Sequence, residues 1–399
     1  MTYSIEELIY ALYHFPLALT APFISWYFFF GLSERDYLGS GLIIAIPYFF
    51  LIFSTGIFGR ISDKIGSKNL VLISLAALSV SFLCYFIIQE KILFFLLYIG
   101  FNIVISAFIP AFNRLMSFYS EEIRAEKFGR LGMTASAGFF IGSIFASWVF
   151  MQNPSGNVTE TFRFMFPIAM IIAFFTFVLA TKLRDVVPFQ SQEEDSLDVQ
   201  IISLPENNTQ LDIKASMKPV FVLLVIVTLI NISSSSYTNF FTIFVQDELK
   251  QDISFIAVAN SIATLFGVLA TYLVGKIANM FEKKYFISIA TVVYTLFPLS
   301  IYIFRDPSFI FLVYCLPFYS ILFVIAPIVI SENSVETERG RAMGLYVGSQ
   351  YAGLMIGTLG GAVLASITSL VSYNFLVGTF IGFLGIMISV FLYNGSFEE

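Results

Sequence analysis

Apolar runs long enough to cross a lipid bilayer recur along the whole chain, and that recurrence limits the fold more than any other feature. About 20 apolar residues in a helix span the hydrocarbon layer. Inside that layer each backbone N–H and C=O must be paired, which a helix does within itself. Runs of this length lie at 7–31, 38–58, 69–88, 92–116, 129–151, 163–183, 219–245, 253–275, 285–304, 309–330, 342–368 and 373–393. They predict an all-α integral membrane protein with twelve transmembrane helices. Only 12% of the 399 residues are charged, about half the share usual in soluble proteins.

Charge placement orients the spans. With the N-terminus in the cytoplasm, 16 of the 21 Lys and Arg residues lie on the inner side, and Arg35, Lys91, Arg163, Lys250 and Arg305 lie outside. This is the bias that membrane insertion imposes. Trp26 and Trp148 then fall near outer helix ends, where interfacial indoles sit. The expectation is a multi-pass protein of the cell membrane with both termini cytoplasmic. "MTYSIEE" lacks a basic leader region, so the first helix is expected to insert uncleaved. Much of the acid behind the net charge of −6 lies in one loop. Lipid is the expected surroundings, with no nucleic-acid partner and a monomeric chain. Cys84 and Cys315 lie within spans and carry no redox information.

The longest polar stretch, 184–218, holds six carboxylates from Glu193 to Asp212 and divides the spans six and six. It reads as a cytoplasmic linker between bundles at 1–183 and 219–399. The bundles repeat each other. Gly129, Gly138 and Gly142 in span 5 match Gly344, Gly353 and Gly357 in span 11 at one constant offset, and Glu121 and Arg124 match Glu336 and Arg339. Small residues at fourfold spacing let helices approach closely. A run of matches at constant offset marks a repeat, and parallel six-span repeats build a large class of secondary transporters.

The loop "GRISDKIGSK" at 59–68 resembles the signature of the major facilitator superfamily through Gly59, Asp63, Lys64, Gly66 and Lys68, with Ser67 where a basic residue is usual. "GKIANMFEKK" at 275–284 keeps Gly275 and the basic end, and "ETERGRAMGLY" at 336–346 is similar to the family's connection into span 11. The resemblance implies two pseudo-symmetric six-helix bundles that alternate access to a central cavity lined by spans 1, 4, 7 and 10. It also implies that Asp63 faces the N-terminal end of span 11, where free amides favour an anion, and so holds an inner gate shut. Span 5 carries Gly129, Gly138 and Gly142 in the register of proton-driven exporters, but Ser143 replaces the family's proline. On that half-motif the direction leans to proton-linked efflux.

One apolar span is interrupted by "NISSSSYTNFF" at 231–241. At about 100° per residue, Thr228, Asn231, Ser235, Thr238, Asn239 and Thr242 share one side of span 7. Facing lipid, they would leave polar groups unpaired. The stripe therefore faces either a cavity or a neighbouring helix joined through serines. The resemblance favours a cavity. Span 4 adds Tyr98, Asn102, Ser106 and Asn113 on one face, span 1 adds Tyr10, His14 and Ser25, and span 10 adds Tyr314 beside Pro317. Hydroxyls, amides and aromatic rings suit an uncharged or amphipathic solute.

No Asp, Glu, Lys or Arg lies near the middle of a span. A carboxylate or phosphate cargo would call for a buried cation, so anionic cargo is disfavoured. A proton route needs a titratable group within the membrane, and His14, the only histidine, is the candidate, with Glu6, Glu7 and Asp247 at the cavity mouths. One imidazole and two separated thiols supply neither a metal site nor catalytic machinery; no cofactor and no enzyme activity are expected. The expected activity is transport. The alternatives are a facilitator or importer of a sugar-like solute, and a membrane sensor that keeps a transporter fold.

Overall fold

The computed structural model describes residues 4–33, 35–117, 121–152, 157–183, 209–277, 280–333 and 339–390. All regular elements among them are helices, named here in chain order. In the first half these are α1 (Ile5–Leu32), α2 (Tyr37–Ile65), α3 (Ser67–Ile87), α4 (Lys91–Ile105 with Phe108–Ser117), α5 (Glu121–Gln152) and α6 (Val158–Ala180). The second half holds α7 (Thr209–Thr238 with Phe241–Asp247), α8 (Ile253–Ile277), α9 (Lys283–Ile303), α10 (Pro307–Tyr314 with Tyr319–Glu332), α11 (Arg339–Thr368) and α12 (Ser372–Ile388). Among the described residues, nine helices are long and apolar enough to cross a membrane. Shorter apolar stretches at Tyr37–Phe53, Ser320–Ile330 and Ser372–Ile388 stand where the remaining runs of the sequence fall. Helix α7 begins at Thr209, inside the stretch read as a linker; residues 184–208 lie outside the description.

The two halves repeat one packing plan. Helix α1 packs on α5 and α6 as α7 packs on α11 and α12, and α3 on α6 as α9 on α12. Across the halves, α2 meets α11 and α5 meets α8. The glycines explain how closely the partners lie. A Cβ on Gly138 would strike the Ala11 carbonyl, and one on Gly142 the Phe15 carbonyl. Likewise a Cβ on Gly357 would strike the Ile232 carbonyl and Ser235 Oγ, and one on Gly353 would come to 2.6 Å from the Thr228 carbonyl. Lacking a side chain, each lets backbone touch backbone, where dispersion holds membrane helices together without help from water.

Gly66 supplies the one-residue turn between α2 and α3, with φ of 85°, a conformation that side-chain-bearing residues avoid. Gly59, Asp63 and Lys64 fall in the last turns of α2. Their side-chain placement lies outside the description, as does the loop before α11, so the expected contact of Asp63 with α11 does too. Lys68 opens α3 and is half-buried. Gly129 lies on α5, its surroundings outside the description.

Candidate functional site: a cavity between the halves

Among the described residues, α1, α4, α7 and α10 are broken along their course, and α6 is interrupted near its start, at Phe164. Pro22 begins a tight turn at Ala21–Phe23 in α1. Pro110 has no N–H for the Ser106 carbonyl, and α4 breaks at residues 106–107. Pro317 ends the first piece of α10 in the same way. Helix α7 has no proline at its break. There, Ser234 and Ser235 bond back to the Asn231 carbonyl, Ser236 to that of Ser233 and Thr238 to that of Ser234; such back-bonding bends helices.

Beside the breaks in α7 and α10 lies a cavity of about 1060 Å³ lined by both halves. Its walls run from Thr238 and Tyr314, beside the breaks, to Asn113, Leu131 and Met343. The latter three lie toward the side of the molecule where α1 begins, here the near side. At the opposite, far side the halves are joined. Arg35 pairs with Asp247 at 3.2 Å. The Tyr37 hydroxyl reaches Asp247 Oδ2 at 3.5 Å and the Ser369 carbonyl at 3.3 Å. Trp26 Nε1 donates to Gln246 Oε1, and Thr242 to the Pro22 carbonyl at 3.3 Å. Ser147 meets Ser261 at 2.9 Å between α5 and α8. Glu248, next to Asp247, accepts from the amides of Val371 and Ser372, holding the start of α12 to the end of α7. The non-glycine residues with positive φ among those described are Arg35, Lys250 and Ser369, and all three belong to this seal. Strained backbone of this kind persists where its surroundings over-determine it.

Of the residues expected to line a cavity, Tyr10, His14, Asn113, Thr238 and Tyr314 do so. The others stand elsewhere. Asn231, Ser235 and Asn239 lie between α7 and α11: Asn231 Cβ approaches Gly353, Ser235 Oγ reaches the Gly353 carbonyl at 3.4 Å, and Asn239 donates to Thr358 Oγ1 at 2.6 Å. The glycine row of α11 takes that face of α7, and the cavity receives the adjacent one, with Ser234 and Thr238. Tyr98 packs against Phe94 and Tyr85, Asn102 donates to the Tyr98 carbonyl, and Ser106 to that of Ile103. Here the break in α4 shifts the helical phase, so Asn113 reaches the cavity while Tyr98, Asn102 and Ser106 do not. Trp26 is 1% exposed and serves the seal, whereas Trp148 is 55% exposed, as an interfacial indole would be.

Several lining residues escaped the sequence reading. Asn260 accepts from the Tyr314 hydroxyl at 2.7 Å, and Gln350 donates to the Tyr346 hydroxyl at 3.0 Å. Each belongs to an i, i+4 polar pair (Asn260 with Thr264, Tyr346 with Gln350) on α8 and α11, which was the available signal. On α1, Glu7 is 2% exposed and pairs with Arg130 of α5 at 3.7 Å. Among the described residues no group of three or more His, Cys, Asp or Glu side chains could hold a metal ion. The lining is thus neutral: phenols, amides, hydroxyls, rings and one imidazole.

The family model of the Major Facilitator Superfamily matches residues 8–325 and 224–398. No curated protein matches the sequence. Among solved structures, the chain resembles the nucleoside transporter NupG (15% identity, 98% of this chain and 100% of that one, TM-score 0.73). A POT family transporter in complex with a thioalcohol-conjugated peptide aligns at 14% identity over 99% and 96% of the two chains, with a TM-score of 0.79. A D-xylose-proton symporter aligns at 15% over 98% and 96%, with a TM-score of 0.74. At such identities the likeness is one of fold, and it agrees with the family match: the chain belongs to the Major Facilitator Superfamily, a family of membrane transporters.

Proposed function

We propose that this transporter moves a small uncharged or amphipathic organic solute by alternating access, and that the structure is its inward-open state with twelve spans and cytoplasmic termini. The observation that carries the reading is the asymmetry of the interface. The cavity is walled by both halves on the side where α1 begins, and polar contacts join the halves on the other. The sixteen-to-five distribution of cations supports calling the open side cytoplasmic. The solute class follows from the lining. A cargo anion would need a cation in the wall, and the residues that line the cavity include none.

Outward movement is the proposed direction, supported by the spacing of Gly129, Gly138 and Gly142. A proton route in such a cycle has Glu7, buried against Arg130 at the near-side end of α1, as its membrane-side carboxylate. The test is flux. Purified protein in liposomes is assayed with a panel of labelled neutral solutes (pentoses, nucleosides and phenolic amines) alongside dicarboxylates. Saturable movement of a neutral solute, with none of the dicarboxylates, is expected. Saturable dicarboxylate flux would refute the solute class.

A further inference from the structure

The two nitrogens of His14 have different surroundings. Nδ1 lies 2.7 Å from the Tyr10 carbonyl, one turn back on α1. A carbonyl oxygen has no proton to give, so Nδ1 carries the hydrogen of this bond. In the neutral ring, Nε2 is then left with a lone pair and no proton. Nε2 has no hydrogen-bond partner among the described residues, and the ring, 8% exposed, lines the cavity.

The ring is also held in place. Its centroid lies 4.6 Å from Tyr10, 5.0 Å from Tyr13 and 5.2 Å from Phe139 of α5. Tyr351 of α11, in the other half, lines the same cavity and lies near Tyr10. The charged pair of this region, Glu7 with Arg130, lies two turns toward the near side. The aromatic groups around the imidazole are therefore neutral, and the Tyr10 carbonyl fixes which nitrogen is bare.

We infer that His14 is a specificity-determining residue: it presents Nε2 to the cavity as a neutral acceptor, so the solute carries an uncharged O–H or N–H donor at that point. This rests on the solute cavity proposed above, and it makes His14 a recognition group in place of a proton carrier. Gln350 on the facing wall acts in parallel. Its amide N–H serves the Tyr346 hydroxyl, which turns its carbonyl oxygen into a second acceptor for the solute. A solute with two donors touches both halves; one whose donors are methylated leaves the buried His14 acceptor unpaired. Such an orphan costs about 1–3 kcal/mol, or roughly five- to 150-fold in affinity.

The single histidine makes the test clean. The wild-type chain, carrying an affinity tag free of histidine, is labelled with ¹⁵N-histidine and placed in lipid nanodiscs. Its imidazole nitrogens are then read by NMR from pH 6 to 8. A neutral ring protonated at Nδ1 throughout is expected. A ring protonated at Nε2, or an imidazolium that appears as pH falls across this range, would overturn the inference without touching the transport reading. In the flux assay, whichever neutral solute moves is compared with its O- or N-methylated counterpart. Wild type should prefer the parent at least about tenfold in KM; His14→Leu should lose that preference and His14→Gln, which restores an acceptor, should recover part of it. Equal transport of parent and methylated solute by wild type would also sink the inference. If no solute moves at all, the transport reading fails and the spectrum alone decides the tautomer.

Discussion

Replacing Asp247 by Asn should open the far side, and the size of the effect can be worked from the contacts. Asp247 meets three groups: Arg35 at 3.2 Å, Lys250 at 3.8 Å and the Tyr37 hydroxyl at 3.5 Å. Lys250 follows Asp247 on the same half, so its attraction persists whichever way the halves tilt and does not bias them. Only Arg35 and Tyr37 cross between halves. The Arg35 side chain is 65% exposed, which places the pair among those worth about 0.2–1 kcal/mol. The tyrosine contact is long and adds a few tenths. A differential of about 0.5–1.4 kcal/mol amounts to a two- to tenfold shift between the states. Spin labels on Glu160 and Ser308, exposed residues at the far-side ends of α6 and α10, report that shift as a longer-distance population once Cys84 and Cys315 are replaced. Arg35→Gln should act in the same direction, and the double variant should exceed the larger single effect by little. Unchanged distances in both variants, or effects that simply add, would refute the latch.

Three further outcomes follow from the packing. Gly138→Ala and Gly357→Ala push a Cβ into backbone of α1 and α7 and should each lower stability by about 1–3 kcal/mol in thermal unfolding. Gly100→Ala, with nothing within 4 Å, should be neutral or mildly stabilising. In the cysteine-free background, single cysteines at Ser234 and Thr238 should react with hydrophilic thiol reagents, while those at Asn231 and Ser235 stay protected; the reverse pattern would restore the stripe to the cavity. Asp36, in the far-side loop between α1 and α2, is partly buried, which works against its charge, but the Gly39 amide at 2.8 Å and Lys91 at 2.9 Å outweigh that and hold its pKa below the usual value. Its stabilisation is thus complete above the unfolded carboxylate value of about 3.9 and is lost as pH falls through the lower folded value. Asp36→Asn should therefore destabilise at pH 7 and lose that effect in strong acid, as read by unfolding at both pH values.

Architecture was legible because the membrane imposes few solutions: a run of apolar residues crosses, and Gly138 and Gly353 at matching positions mark the same helix pair in each half. The site was less legible, because polarity tells that a side chain avoids lipid without telling what it meets instead. Asn231, Ser235 and Thr238 look alike on a helical wheel, yet the first two lie against α11 and the third in the cavity. The glycines at 353 and 357 held the missing information, since a glycine row needs a face of its own. Extrapolating one face from Tyr98 to Asn113 failed for another reason: Pro110 resets the phase. The far-side latch was invisible because its partners, Arg35 and Asp247, are 212 residues apart in separate loops, and nothing in either loop names the other.

The central claim, one cavity that faces each side in turn, is tested most directly by a single cysteine at Thr238. The protein is reconstituted in sealed vesicles, oriented by a tag at one terminus, and a membrane-impermeant thiol reagent is added to either side. Fast labelling is expected from the side of the termini. Labelling from the opposite side should be slower and accelerated two- to tenfold by Asp247→Asn, as that variant's shift in population requires. Labelling confined to the terminal side, with Asp247→Asn leaving the opposite side unreactive, would contradict that claim.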